Sequence, residues 1–237
     1  MSNKNVIYFG VLAYGNTSEK YKSSNIGDYV QSLAALNVYR KFINKNEGID
    51  MGMEDFLHFV IHNSFRDYKF VFLNRDIMSS TPPLSEVTLS KEVLGSEKVI
   101  TIMNGWFLHP CTDEGDTYDW PPKNDFIDPI FTSFHISKPE VICSEAGLDY
   151  LKKHEPIGCR DLDTLNLLQE KGVSCYFSAC LTMTMDFLQH QPAENPFHYI
   201  VDIFNFPEDK LKANDVIFHH CDPSYRVNSA AQNLNSF

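Results

Sequence analysis

Arg160 and Asp161 close the run Pro156-Ile157-Gly158-Cys159-Arg160-Asp161, and their types and position suit them for chemistry. The apolar stretch before them predicts a strand, and a helix pattern begins at once after Asp161. In a parallel α/β sheet that junction lies at the carboxyl edge, where ligands bind. An arginine there offers a planar, permanently charged fork that matches phosphate or carboxylate. The free N–H groups of the following helix start favour the same anions. The plainer alternative is a structural Arg–Asp pair in which Asp161 only caps the helix. His135 ends another apolar run, in Ser133-Phe134-His135, and could serve as a general acid or base. A lone histidine at a strand end is more often structural.

Two further strand ends carry polar or aromatic groups. Asn25-Ile26-Gly27-Asp28 closes the first strand–loop unit, and Gly27 would let a ligand approach the backbone at a helix start. An N-cap with a tight turn explains the same four residues. Asn104-Gly105-Trp106, with His109 close by, ends another strand; an exposed Trp106 could stack on a sugar ring, and a buried one would simply pack. His58 and His62 have the i, i+4 spacing of a metal helix, but Phe59-Val60-Ile61 lies between them without the glutamate of a zincin, so they read as helix core or surface. His219-His220-Cys221-Asp222 alternates across a strand, which spoils it as a ligand set. No metal site is expected. The chain has no G-x-G-x-x-G, P-loop or G-x-S-x-G element.

The elements that must position these residues follow from hydrophobic periodicity. Val6–Leu12 is a near-continuous apolar run, as in a strand buried on both faces. After a polar loop, Ile26, Val30, Leu33, Ala34 and Val38 predict one face of a helix capped by Asn25 or Asp28. Strands are predicted at Lys69–Leu73, Val99–Met103, Phe131–Ile136 and Pro156–Cys159. The Pro- and Asp-rich stretch from Cys111 to Asp128 reads as a loop. Leu162, Leu165 and Leu168 mark a short helix stopped by Lys171-Gly172, then Val173, Cys175 and Phe177 alternate as a strand. Thr182–Met185 alternates as a half-buried strand. Strands alternating with helices predict an α/β fold, a Rossmann-like parallel sheet with flanking helices. The Pro-bracketed stretch Gln191–Pro196 predicts a boundary between a domain at 1–190 and a second element set at 191–237, with strands Tyr199–Ile203 and Val216–Phe218 and a helix near Asn228–Leu234.

Composition narrows the partners. A formal charge of −11 argues against nucleic acid or an anionic membrane, so an anionic substrate must be held by local arginines and helix ends. Six cysteines without CxxC spacing read as reduced thiols, the chain runs into its first strand without a secretory signal, and no apolar run approaches the roughly 20 residues of a membrane span. The expectation is a cytoplasmic protein without a transmembrane segment.

The strand-end motifs occur in the order seen in the polysaccharide pyruvyl transferase family: Asn25-Ile26-Gly27-Asp28, Asn104-Gly105-Trp106, Phe134-His135 and Gly158-Cys159-Arg160-Asp161. The block Thr164–Thr184, including Tyr176-Phe177-Ser178-Ala179-Cys180-Leu181-Thr182, resembles one branch of that family. The resemblance implies a glycosyltransferase-B-like architecture and transfer of a pyruvyl group from phosphoenolpyruvate to a sugar of a surface glycan as a ketal. It implies that Arg160 binds the donor anion, that His135 is a candidate acid, and that Asn25, Gly27, Asp28, Asn104, Gly105, Trp106 and Asp161 line the substrate cleft. No cofactor is implied; phosphoenolpyruvate and a saccharide acceptor are the partners. The family's Ser/Thr-Arg-Leu-His motif is missing from these 237 residues, so a fragment or shortened product, or an inactive sugar- or anion-binding homologue working with a partner chain or as an oligomer, is the alternative expectation. A nucleotide-sugar glycosyltransferase of the same architecture is a third.

Overall fold

The computed structural model of the chain describes residues 6–13, 26–74, 97–107, 120–122, 125–186, 198–201, 207–210 and 215–218. Asn25, His109, the Gln191–Pro196 linker, the His219–Asp222 run and the expected helix near Asn228–Leu234 lie outside them. The chain divides into two compact units, Met1–Phe187 and Leu188–Phe237.

The first unit is built on six strands: β1 (Ile7–Ala13), β2 (Tyr68–Asn74), β3 (Val99–Phe107), β4 (Ile127–Ile136), β5 (Ile157–Cys159) and β6 (Cys175–Phe177). They form one sheet in the order β2-β1-β3-β4-β5-β6, with every pairing parallel. This is the expected Rossmann-like α/β arrangement. Both faces are covered, which is why the strands read as apolar runs rather than clean alternations. On one face α1 (Ile26–Glu47) and α2 (Met53–His62) pack against Phe9, Val11, Phe70 and Ile102. On the other, α3 (Pro139–Ile142), α4 (Glu145–Lys153) and α5 (Leu162–Glu170) cover Leu73, Met103, Phe134 and Ile157.

Strand order reverses at β1: the chain goes outward to β2, then returns to place β3 on β1's other side. That topological switch point is where open α/β sheets form a crevice. A side chain interrupts the ladder here. The ladder between β1 and β3 runs only from Tyr8↔Val99 to Gly10↔Thr101. At its end the buried Tyr39 hydroxyl of α1 is spliced in, accepting from the Ile102 N–H at 2.9 Å and donating to the Gly10 carbonyl at 2.9 Å. Burial pushes the Tyr39 hydroxyl pKa well above its ordinary value, so it stays protonated and keeps that donor.

Several elements depart from expectation. Strand β4 begins at Ile127, four residues before the predicted start, and contains Asp128 and Pro129. Proline is tolerated there because β5 meets β4 only near Phe134, leaving one side of the first half of β4 without a partner strand. The inward positions of α1 also differ from the predicted stripe. Val30, Leu33 and Val38 are half-buried, whereas Asp28, Gln31 and Asn37 are buried beside Ala34, Ala35, Tyr39 and Ile43. Asp28 is the third residue of the helix, inside it rather than capping it.

The predicted strand at Thr182–Met185 is instead a 3-10 turn, Leu181–Thr184, with Met183 80% exposed. Ala179 turns the chain with φ 56°, so β6 cannot continue. The segment then lies along α1, where Asp186 pairs with Lys41 at 2.8 Å and accepts from Asn37 at 3.2 Å.

Helix α5 ends as its sequence predicts. Gly172 (φ 69°) donates to the Gln169 carbonyl and Val173 to the Leu168 carbonyl, a Schellman closure with Val173 and Leu168 buried together. In the second unit β7 (His198–Val201) and β8 (Asp215–Phe218) form a parallel pair. Among the described residues no helix is long and apolar enough to cross a membrane, and Cys143, Cys159, Cys175 and Cys180 are free thiols.

Candidate functional site at the carboxyl edge

A one-residue irregularity in β4 decides which side chain reaches the crevice. Between Met103↔Phe131 and Gly105↔Phe134, β3 advances two residues and β4 three. Uninterrupted alternation from Phe131 would bury His135 in the core. The extra residue instead sends Phe134 and Ile136 into the same core as Phe131 and leaves His135 on the other face, half-buried.

The bulge is held from outside. Ser133, at φ 54°, donates its N–H to Ser178 Oγ at 2.9 Å and its hydroxyl to the Ala179 carbonyl at 2.7 Å. Ser178 in turn donates its hydroxyl to the Cys159 carbonyl at 3.0 Å. Two strained non-glycine residues, Ser133 and Ala179, are thus tied together, as is common where strain positions a site. Gly158 allows β5 to approach this kink, since a Cβ there would lie 3.0 Å from the Phe131 carbonyl and 3.0 Å from Thr132 Cα.

His135 Nδ1 lies 2.5 Å from Asp161 Oδ2. Asp161 also caps α5, its Oδ1 accepting from the Thr164 N–H at 2.8 Å, and Thr164 Oγ1 accepts from the Ile136 N–H at 3.3 Å. One carboxylate therefore fixes both the helix start and the imidazole. Burial would raise the Asp161 pKa, but hydrogen bonds from the Thr164 N–H, from His135 and from the Thr164 side chain outweigh it and hold the carboxyl below its ordinary 3.8. A lowered pKa stabilises the fold above the ordinary value, and the stabilisation is lost as pH falls through the folded one. Asp161→Asn keeps a capping side chain, so it should lower the urea midpoint at neutral pH by removing the charge. The gap to wild type should close as the pH drops below about 4; a gap unchanged in acid would mean that the charge does not matter.

Arg160 is anchored by its own backbone, its N–H donating to the Phe134 carbonyl at 3.0 Å. Its guanidinium makes no ion pair with Asp161 among the described residues; Nη1 is fully buried and has no acceptor. A buried cationic donor without a partner is costly, and here it sits beside the start of α5 at the strand ends. Neutralising an incoming oxyanion is the chemistry open to it.

The β1/β3 junction, about 12 Å from β5 by two and a half strand spacings, has the opposite character. Asn104 donates Nδ2 to the Gln31 carbonyl at 2.9 Å, while Asn104 Oδ1 and Gln31 Oε1 are buried acceptors without donors. Asp28 is buried one turn before Gln31. Gly27 is the second residue of α1, and Gly105 (φ 121°) follows Asn104 at the β3 side of the bulge. Trp106 pairs in register with His135, but its side chain lies outside the described residues, as does Asn25.

The expected site residues therefore form two groups: His135, Arg160 and Asp161 at the ends of β4 and β5, and Asp28 and Asn104 at the switch point. Gln31, Ser133, Thr164 and Ser178 were not anticipated. Gln31 is signalled by its i, i+3 spacing from Asp28; nothing in the sequence marks Ser133 as the bulged residue.

His58 and His62 are exposed on α2 with rings 4.6 Å apart. Among the described residues no group of three or more His, Cys, Asp or Glu side chains is placed to hold a metal. A depression of about 370 Å³ lined by Lys98, Ile127, Asp128, Tyr150, Lys153 and His154 lies at the amino ends of β3 and β4, the edge opposite the strand-end groups. No family model, curated protein or solved structure matches the chain.

Proposed function

We propose that the chain is a polysaccharide pyruvyl transferase-like protein that moves the pyruvyl group of phosphoenolpyruvate onto two hydroxyls of a surface-glycan sugar as a ketal. The observation that carries the reading is the buried, acceptor-less Nη1 of Arg160 at the end of β5. Phosphoenolpyruvate brings a phosphate and a carboxylate, and a fixed guanidinium fork suits either. The order of the strand-end motifs supports the same assignment. The proposed protein works in the cytoplasm, where its thiols stay reduced.

The chemistry needs a proton on the enol methylene and stabilisation of an oxocarbenium-like carbon. The methylene becomes a methyl group, the carbon–oxygen bond to phosphate breaks, and two sugar oxygens bond to that carbon as their protons leave. His135 is the proposed acid. Asp161 holds its Nδ1 side and so fixes the orientation of the ring.

The test is to incubate the chain with phosphoenolpyruvate and a panel of glycosides bearing free diols, reading inorganic phosphate and the mass of the glycoside. Phosphate release matched by a ketal-bearing product supports the reading. Failure to bind phosphoenolpyruvate, with binding of a nucleotide sugar instead, overturns it.

A further inference from the structure

The geometry points to a second site, away from the strand ends: His58 and His62 on α2 form a two-nitrogen chelate for a divalent transition ion of the copper(II) or nickel(II) type. The site is independent of the transferase reading. The missing zincin glutamate does not count against it, because a chelate that performs no hydrolysis needs no general base.

The two histidines sit one helical turn apart, and both are exposed. The other side of α2 is held by the buried Phe56 and Val60. Asn63, just past the helix end, is pinned to β2: its Oδ1 accepts from the Phe70 N–H at 2.6 Å and its Nδ2 donates to the Phe70 carbonyl at 3.2 Å. The backbone under the two imidazoles is therefore fixed. Their ring centres lie 4.6 Å apart with the planes at 56°, so the rings converge without stacking. Their contacts are with each other and, for His58, with the Phe59 ring at 6.0 Å; among the described residues neither imidazole makes a hydrogen bond.

The separation selects the ion. With metal–nitrogen bonds of about 2.0–2.1 Å and ring nitrogens about 1.1 Å from the ring centre, two imidazoles at a right angle on one ion have centres about 4.5 Å apart. At the tetrahedral angle that zinc prefers, the same centres would be about 5.2 Å apart. The observed 4.6 Å matches the right angle, which belongs to the tetragonal geometry of copper(II) and nickel(II). Imidazole nitrogen suits both ions, whereas magnesium and calcium take oxygen donors. The charged groups nearby on the chain are Glu54 and Asp55 in the first turn of α2, and Lys69, whose ammonium donates to the Asn63 carbonyl at 2.6 Å. Among the described residues no third His, Cys, Asp or Glu is placed with the pair, so the protein fills two positions and water the others. With no carboxylate or carbonyl bonded to either ring, the ligands lack the outer-shell support of a resident metal, and the site exchanges its ion with solution.

Calorimetry on the full chain, stripped with a chelator and titrated with nickel(II) chloride, reads the site. The tightest equivalent of nickel should be lost or weakened by at least about tenfold in both His58→Gln and His62→Gln, since even an outer-shell partner is worth that much. Both positions are exposed, so both variants should keep the wild-type urea midpoint. With copper(II) instead, electron paramagnetic resonance should show a tetragonal signal coupled to two imidazole nitrogens in wild type and to one in either variant. Affinity should rise from cobalt to nickel to copper, and magnesium should not bind. Unchanged nickel affinity in either variant overturns the site, because the ion is then held by other histidines or thiols. Tighter binding of zinc than of copper, or a copper signal without the two nitrogens, overturns it as well.

Discussion

Arg160→Met is expected to weaken phosphoenolpyruvate binding about a hundredfold while leaving the unliganded fold at least as stable as wild type. The two halves have one cause. Nη1 is buried without an acceptor, so removing it relieves an unpaired charged donor rather than breaking a bond. The backbone anchor, the Arg160 N–H to the Phe134 carbonyl, survives the substitution. A charge-assisted hydrogen bond to the ligand is worth roughly 2–3 kcal/mol, so the affinity loss should be about a hundredfold. Arg160→Lys keeps the charge but not the fork and should fall between the two. Calorimetry with phosphoenolpyruvate and urea unfolding without it give both readings. If the methionine variant loses stability by several kcal/mol, Arg160 is a structural residue.

The largest effect on stability is expected from Gly10→Ala. A Cβ on Gly10 would lie 2.2 Å from Thr101 Oγ1 and 2.8 Å from Leu73 Cδ1, between strands buried on both faces. Thr101 and Leu73 are 0% exposed, so neither can swing into solvent. Overpacking of this kind costs about 3 kcal/mol. Most of it should vanish in Gly10→Ala/Thr101→Ala, which trades the hydroxyl for the new methyl, and the double-mutant cycle should show strong coupling. Additive losses in urea midpoint would refute the steric account.

What the sequence made legible is local. Continuous apolar runs located β1, β3 and β5, and Gly172 and Asp161 marked the two ends of α5 because capping chemistry involves only neighbouring residues. What it hid depends on register or on partners far along the chain. Pro129 disguised the start of β4, since only the sheet shows that one side of that strand lacks a neighbour. The extra residue at Thr132–Ser133 has no composition signature, yet it decides whether His135 faces core or crevice. The polar inward positions of α1 contradicted an amphipathic reading for the same reason: Asn104, 73 residues beyond Gln31, is what meets that face. The pairing of His135 with Asp161 spans 26 residues and follows from the order of β4 and β5.

The Tyr39 hydroxyl makes the sheet two rafts rather than one. The strands β2–β1 and β3–β6 are joined by three residue pairs and then by a phenol that belongs to a helix. The gap between the rafts is therefore gauged by α1, the same rod that carries Asp28 and Gln31 two to three turns before Tyr39. A shift of α1 along its axis would therefore change the width of the seam between β1 and β3 without any strand losing its register.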